Sequence, residues 1–366
     1  MLFDISPKVE RRDFYDREAE LGEIEEAVRL GEGLIIVYGV RRIGKTSAVR
    51  VALSELKAPY AFVDVREIYF SEGAISASRL VKHLVNSFRS NMKLYQRVGF
   101  DLKSALGRVK SIHVEGLEVE FASRPEIRFT DILRHIDDWC VSHEMRFIIV
   151  FDEAQYLRFS NVRYDGVLAW AVDNLPSITF ILTGSEVGVL RDFLKFEDPR
   201  APLYGRYRRE VRLERFSEET SMGFLKAGFE ELGVTVSDVE VEEAVDRLDG
   251  VVGWLTYYGY YRAVRRLPHR EALERVFEEG SRLVMSEIER LIAPSRSRYL
   301  AILEAVARGA SSFTSIKAFV YARVGAISNE RLSELLKKLV KYGYLEKRNG
   351  KYLIPDPVVR QALTAV

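Results

Sequence analysis

Leu34-Ile35-Ile36-Val37-Tyr38-Gly39-Val40-Arg41-Arg42-Ile43-Gly44-Lys45-Thr46 decides the fold. Its first part is short, apolar and β-branched, as suits a strand buried on both faces, and residues 46–53 read as the helix that follows. Between them, Gly39 and Gly44 permit a tight turn that points successive backbone N–H groups at phosphate oxygens. Lys45 adds a point charge for the β- and γ-phosphates, and the Thr46 hydroxyl is of the kind that ligates Mg²⁺. The candidate ATP- or ADP-binding residues are therefore Gly39, Val40, Arg41, Arg42, Ile43, Gly44, Lys45, Thr46 and Ser47.

A chain of 366 residues with 47% hydrophobic and 30% charged side chains can bury a sizeable core in two or three domains. It contains no long uninterrupted apolar run, and charges break up the N-terminal MLFDISPKVERRDF where a signal peptide needs an apolar stretch. A cytoplasmic protein without a membrane span is expected. Cys140 is the sole cysteine, which excludes an internal disulfide; within DDWCVSHE it reads as a helix-core residue rather than a nucleophile. His83, His113, His135, His143 and His269 lack metal-ligand spacing. The net charge of +1 hides an asymmetry, because residues 296–366 hold 13 Lys/Arg against 5 Asp/Glu while the preceding residues hold 42 against 49. A basic end of this kind suits a polyanion such as double-stranded DNA, or is simply a solvated face.

Residues 60–65 form a second apolar run, and with the intervening helix they make a βαβ unit, so the fold class is α/β with a parallel P-loop NTPase sheet. An insertion near 70–128 follows, with a helix over 77–95 and an alternating stretch over 112–121 that predicts a β-hairpin. A helix over 130–144 leads to Phe147-Ile148-Ile149-Val150-Phe151-Asp152-Glu153, an apolar strand ending in two acids. Strand carboxyl ends converge on the ligand crevice of such sheets, which brings Asp152 to the metal held by Thr46 and lets Glu153 polarise a water for attack on the γ-phosphate. The run 177–182 ends in Thr183-Gly184-Ser185-Glu186, where Thr183 or Ser185 is able to donate to that water or phosphate, and Ser185 equally to cap the next helix. In the turn-rich, arginine-dense stretch 198–209, Arg206 is the candidate for reaching a γ-phosphate, in its own subunit or in a neighbour's.

Residues 1–205 thus make the core, and helices over 217–232, 238–248, 254–266 and 270–290 make an all-helical lid over 206–293. Tyr257, Tyr258, Tyr260 and Tyr261 suit helix packing better than a stacking platform. Beyond Ala293-Pro294-Ser295, residues 296–366 show three helices and a hairpin with an Asn-Gly turn, the pattern of a winged helix. If this unit binds DNA, its third helix and wing present Asn329, Arg331, Ser333, Lys337, Lys347, Arg348 and Lys351; if it docks protein or autoinhibits, those residues are a solvated face.

Taken in that order, these segments resemble the archaeal ATPases of the STAND/AAA+ group over nearly the whole chain. Residues 14–21 are similar to the group's Phe-x-x-Arg-Glu-x-Glu-Leu box, whose role implies that Arg17 and Glu18 lie near the adenine. Pro202–Arg206 and Gly250–Leu255 match further segments, although Gly250-Val251-Val252-Gly253 lacks the proline of the group's lid turn. The resemblance implies ATP binding and slow hydrolysis coupled to rearrangement of lid and winged helix, and it names no biological role; DNA, a protein partner and self-association stand as alternative outputs.

Overall fold

The computed structural model describes residues 1–56, 58–91, 112–115, 118–121, 128–185, 187–292 and 295–364. In chain order the first strands are β1 (Leu34–Tyr38), β2 (Tyr60–Asp64), the antiparallel pair β3 (Ile112–Glu115) and β4 (Glu118–Phe121), β5 (Phe147–Asp152), β6 (Ile178–Gly184) and β7 (Arg209–Arg212). Five of them form one parallel sheet in the order β2-β5-β6-β1-β7. Parallel neighbours require crossovers, and these bring helices to both faces. Leu34, Ile36, Ile149, Phe151, Phe180 and Leu182 pack toward helices Ala77–Asn91, Phe129–Ser142 and Tyr164–Asn174. Their alternates Ile35, Val37, Ile148, Val150 and Ile181 pack toward Glu18–Leu30 and Lys45–Glu55.

The register aligns the ends of the strands. Asp64 stands opposite Asp152, Phe151 opposite Leu182, and Val37 opposite Thr183. Because β6 lies between β1 and β5, Thr183 is interposed between the loop after β1 and the acids after β5. The helix expected over 77–95 is described as far as Asn91; its last residues and the hairpin turn at 116–117 lie outside the described residues. The stretch expected as arginine-rich loop ends in β7, an edge strand on β1 whose buried residue is Val211. An edge position tolerates the flanking charges that hid this strand from a hydrophobicity pattern.

The segment expected as the lid forms helices Glu218–Glu231, Asp238–Leu248, Val252–Gly259 and His269–Ile292. Ser217 and Ser237 cap the first two, each accepting a hydrogen bond from the backbone three residues on. Tyr258 is buried, with its hydroxyl 2.8 Å from His269 Nδ1, and Tyr261 is buried beside it, so these tyrosines pack the lid. The winged helix follows with helices Arg296–Ala307, Phe313–Val324 and Asn329–Lys341 and the hairpin β8 (Glu346–Arg348) and β9 (Lys351–Leu353). Asn349 and Gly350 have φ of 49° and 78°, as a tight hairpin turn requires. A last helix, Pro357–Thr364, returns to the lid: a Cβ on Gly280 would lie 2.7 Å from Val358. Lid and winged helix consequently share one continuous apolar core.

Phe3 fixes the N-terminus in that core. Its ring is fully buried and meets Phe224 and Phe229 edge-on at 5.6 and 5.0 Å. A Cβ on either Gly228 or Gly259 would come within 2.3 Å of it. Phe3→Ala should therefore lower the unfolding free energy by about 3–5 kcal/mol. A denaturant titration checks this, and an unchanged midpoint would show that the ring carries no packing energy.

Candidate active site

The loop after β1 is shaped by two glycines. A Cβ on Gly39 would lie 2.4 Å from the Leu213 carbonyl oxygen, and Gly44 has φ of 92° where the next helix begins. Lys45 follows at the helix N-terminus, nine-tenths buried, and its Nζ donates to the Gly39 and Val40 carbonyls at 3.0 and 2.8 Å. The side chain thus curls back over its own loop. Burial pushes its pKa down to about 8 against the opposing pull of Glu153 and Asp152.

Two hydroxyls hold the two acids. Thr46 Oγ1 lies 3.0 and 3.3 Å from the Asp152 carboxylate oxygens, and Thr183 Oγ1 donates to the same carboxylate while accepting the Glu153 backbone N–H at 3.1 Å. Burial, and then the neighbouring charge of Glu153, push Asp152 up to about 6. Glu153 has φ of 53°, and its Oε2 accepts hydrogen bonds from Gln155 Nε2 at 2.6 Å and Ser185 Oγ at 2.8 Å. Burial alone would raise its pKa, but Lys45, Arg41 and Arg66 outweigh burial and hold it below the usual carboxylate range. Thr183 and Ser185 thus divide the work: one positions Asp152, the other Glu153. Among the described residues no group of three or more His, Cys, Asp or Glu gathers to hold a metal. An adjacent hydroxyl and carboxylate fit Mg²⁺, which is commonly bound by one or two side chains and completed by phosphate and water.

Lys45, Thr46, Glu153 and Ser185 line a cleft of about 330 Å³ between core and lid. Phe14, Tyr15, Phe216, Val252 and Tyr257 form its apolar end, of the kind that accommodates a flat base. Arg17 lines that end but is itself buried, bonded to Glu20 at 2.7 Å and to the Glu214 carbonyl, with its guanidinium 4.7 Å from the Phe216 ring centre. Its role there is to clamp the pocket wall. Glu18, expected beside it, instead pairs with Arg11 on the surface. Ser47 Oγ accepts the Lys8 backbone N–H at 3.0 Å and ties the N-terminal segment to the loop.

The lid grips the loop without the missing proline. The Gly253 N–H donates to the Arg42 carbonyl at 2.9 Å, and a Cβ on Gly253 would meet Arg42 at the same distance. Arg42 has φ of 62°, stacks 4.3 Å from the Trp254 ring centre and reaches Glu287 at 3.1 Å, while Arg41 reaches Glu287 at 3.3 Å. Neither Glu287 nor the cleft-lining Arg66 was picked out from the sequence, since each lies outside any contiguous motif and becomes visible only when the elements are packed. Gln155 closes the segment 151–155 that carries the resemblance, but the sequence assigned it no role of its own.

Residues 14–257 match the family described as an ATPase domain predominantly from Archaea. The chain belongs to this archaeal ATPase family. A solved Walker-type ATPase of Pyrococcus abyssi is 36% identical, with a TM-score of 0.88 and coverage of 99% of both chains. The archaeal ATPase also matches, over residues 294–354, the MCM protein C-terminal winged helix-turn-helix domain. The ORC2 protein of Aeropyrum pernix, solved in ADPNP–ADP complexes, shares the fold at 15% identity and a TM-score of 0.58, covering 100% of this chain and 97% of that chain. None of the curated proteins compared with it matches. No helix among the described residues is long and apolar enough to cross a membrane.

Several predicted residues of the archaeal ATPase lie away from the cleft. Arg206 precedes β7 and so sits at the amino end of the sheet, opposite the loop, where its guanidinium pairs with Asp173 at 2.9 and 2.6 Å. It does not reach the phosphate end of its own chain. Asn329 accepts from Lys317 at 2.7 Å, Arg331 pairs with Glu334 at 2.6 Å, and Ser333 is half-buried. Lys337, Lys347, Arg348 and Lys351 are exposed.

In the cleft, Glu287 reaches both loop arginines, and a bound phosphate would have to draw them from it. Partly exposed ion pairs contribute roughly 0.2–1 kcal/mol each. Glu287→Gln should therefore tighten ATP binding, by about two- to thirtyfold for two such pairs; calorimetric titration measures it, and weaker binding would contradict the competition.

Proposed function

We propose that this ATPase is a Mg²⁺-dependent nucleotide switch whose winged helix is the output and binds duplex DNA. The reading rests on one observation above others: the phosphate-binding loop is in direct contact with both lid and winged helix. Arg41 stands 5.7 Å from the Tyr344 ring centre, just beyond the third helix of the winged helix, and Arg42 touches Trp254, whose Nε1 donates to Asp356 at 3.0 and 3.1 Å. Asp356 in turn caps the last helix through the Val358 N–H at 2.8 Å. A phosphate that draws Arg41 and Arg42 inward loosens these contacts and biases the relative orientation of the units.

Thr46 and Asp152 are the residues that would hold Mg²⁺, which when bound would neutralise negative charge on the nucleotide's phosphates. Glu153 accepts the proton of the attacking water as its oxygen bonds to the γ-phosphorus and the bond to ADP breaks. Gln155 and Ser185 orient Glu153 for that task, and Thr183 fixes the strand ends that bring the two acids together.

The DNA assignment is supported by the basic surplus of residues 296–366 and by the exposure of Lys337 and of the wing residues Lys347, Arg348 and Lys351. One contact favours a second reading, autoinhibition or protein docking. The end of the third helix is packed on the core, where a Cβ on Gly188 would lie 2.8 Å from Lys341 and Lys341 pairs with Asp192. Duplex binding measured across a salt series separates the two. Four phosphate contacts give a slope of about −3 to −4 in log K against log salt, and each Lys or Arg replaced on the wing should flatten it by about 1. Absence of binding at low salt in every nucleotide state would overturn the DNA reading in favour of docking.

A further inference from the structure

We propose that Arg66 contacts the γ-phosphate of the nucleotide bound to its own chain, so that the site supplies its transition-state arginine in cis. The inference deepens the hydrolytic reading of Glu153 and rests on it.

Topology puts Arg66 where such a residue must be. β2 ends at Asp64, which stands directly opposite Asp152, so the chain leaves β2 at the carboxyl end of the sheet, level with the acids. Two residues later, Arg66 lines the same cleft as Lys45, Thr46, Glu153 and Ser185. It approaches from the far side of Glu153 relative to the loop, because β2 and β1 are separated by β5 and β6. A γ-phosphate held by the loop would therefore lie between Lys45 and Arg66.

The other arginines of the cleft approach from the wall or from the lid side, not from the side of Glu153 that faces away from the loop. Arg17 is bound to Glu20 and Glu214 in the wall, and Arg41 and Arg42 are drawn toward Glu287 on the lid side. Arg206 is paired with Asp173 at the opposite end of the sheet. Arg66 Nη2 reaches Asp64 Oδ2 only at 3.5 Å, a long contact that leaves the guanidinium able to reorient. Burial alone would lower its pKa, but Glu153, Asp64 and Asp152 outweigh burial and keep it cationic. A planar, permanently charged fork suits the equatorial oxygens of a phosphoryl group in transfer, where charge is spread over three atoms.

A purely structural role predicts a different outcome from a catalytic one. In the full-length protein, ATP turnover and the binding of ADP and of ATPγS are compared for wild type, Arg66→Ala and Arg66→Lys. Arg66→Ala should lower kcat at least about 100-fold and weaken ATPγS about tenfold while ADP affinity stays within about twofold. Arg66→Lys should restore most of the ATPγS affinity through its charge but not turnover, since it lacks the fork. Turnover per subunit of the wild type should be independent of protein concentration. The proposal is overturned by near-normal turnover in Arg66→Ala, by equal losses of ADP and ATPγS binding, or by a wild-type rate that rises with concentration. Absence of turnover in the wild type would sink the hydrolytic reading as well, whereas wild-type turnover that survives Arg66→Ala sinks this proposal alone.

Discussion

Arg42 is held by the lid at three points: its carbonyl by the Gly253 N–H, its guanidinium by the face of Trp254, and the same guanidinium by Glu287. Its backbone sits in the left-handed region, which a bulky side chain adopts only where surrounding contacts over-determine it. The conformation of the phosphate-binding loop and the position of the lid are therefore one constraint. Trp254 extends that constraint through its indole N–H to Asp356, where burial raises the carboxyl pKa against the opposing pull of its hydrogen bonds and Arg42. Loop, lid and last helix form a single connected chain of contacts, and the shared core of lid and winged helix leaves little room for one to move without the other.

On the other side of the loop, two threonines do what the sheet alone cannot. β1 and β5 are not neighbours, yet Thr46 and Asp152 meet because Thr183, on the strand between them, anchors the acid's strand end by both its hydroxyl contacts. Opposed shifts at Asp152 and Glu153 follow from their surroundings: Asp152 is buried beside another carboxylate, whereas Glu153 is surrounded by Lys45, Arg41 and Arg66. A carboxylate kept ionised in the cleft is suited to accept a proton from water.

Much of this was legible in the sequence, and the reason is physical. Phosphate binding requires fixed residue types at fixed spacing on one turn, and the acids must end an apolar strand, so Gly39, Gly44, Lys45, Thr46, Asp152 and Glu153 announce themselves. The capped helices of the lid and the Asn-Gly hairpin are equally local signals. What depends on packing was not legible. Arg66 and Glu287 meet the loop only through the sheet order and the lid's closure. Arg206 looked favourable among neighbouring arginines, but β7 begins just after it, and a parallel edge strand places it at the wrong end of the sheet. The helix Pro357–Thr364 has a local start signal in Asp356-Pro357 that the sequence reading passed over, but its role as the lid's partner follows from Gly280 and Trp254, far away in sequence.

The central claim, that nucleotide at the loop sets the orientation of the winged helix, can be measured directly as a distance. Leu30, on the core, and Tyr321, on the second helix of the winged helix, are 67% and 65% exposed and can carry spin labels as cysteines. Burial pushes the native Cys140 thiol up to about 12, which keeps it out of the labelling reaction. The account predicts that the label-to-label distance distribution differs between the ADP and ADPNP states. Superimposable distributions in both states, with nucleotide bound in each, would contradict it.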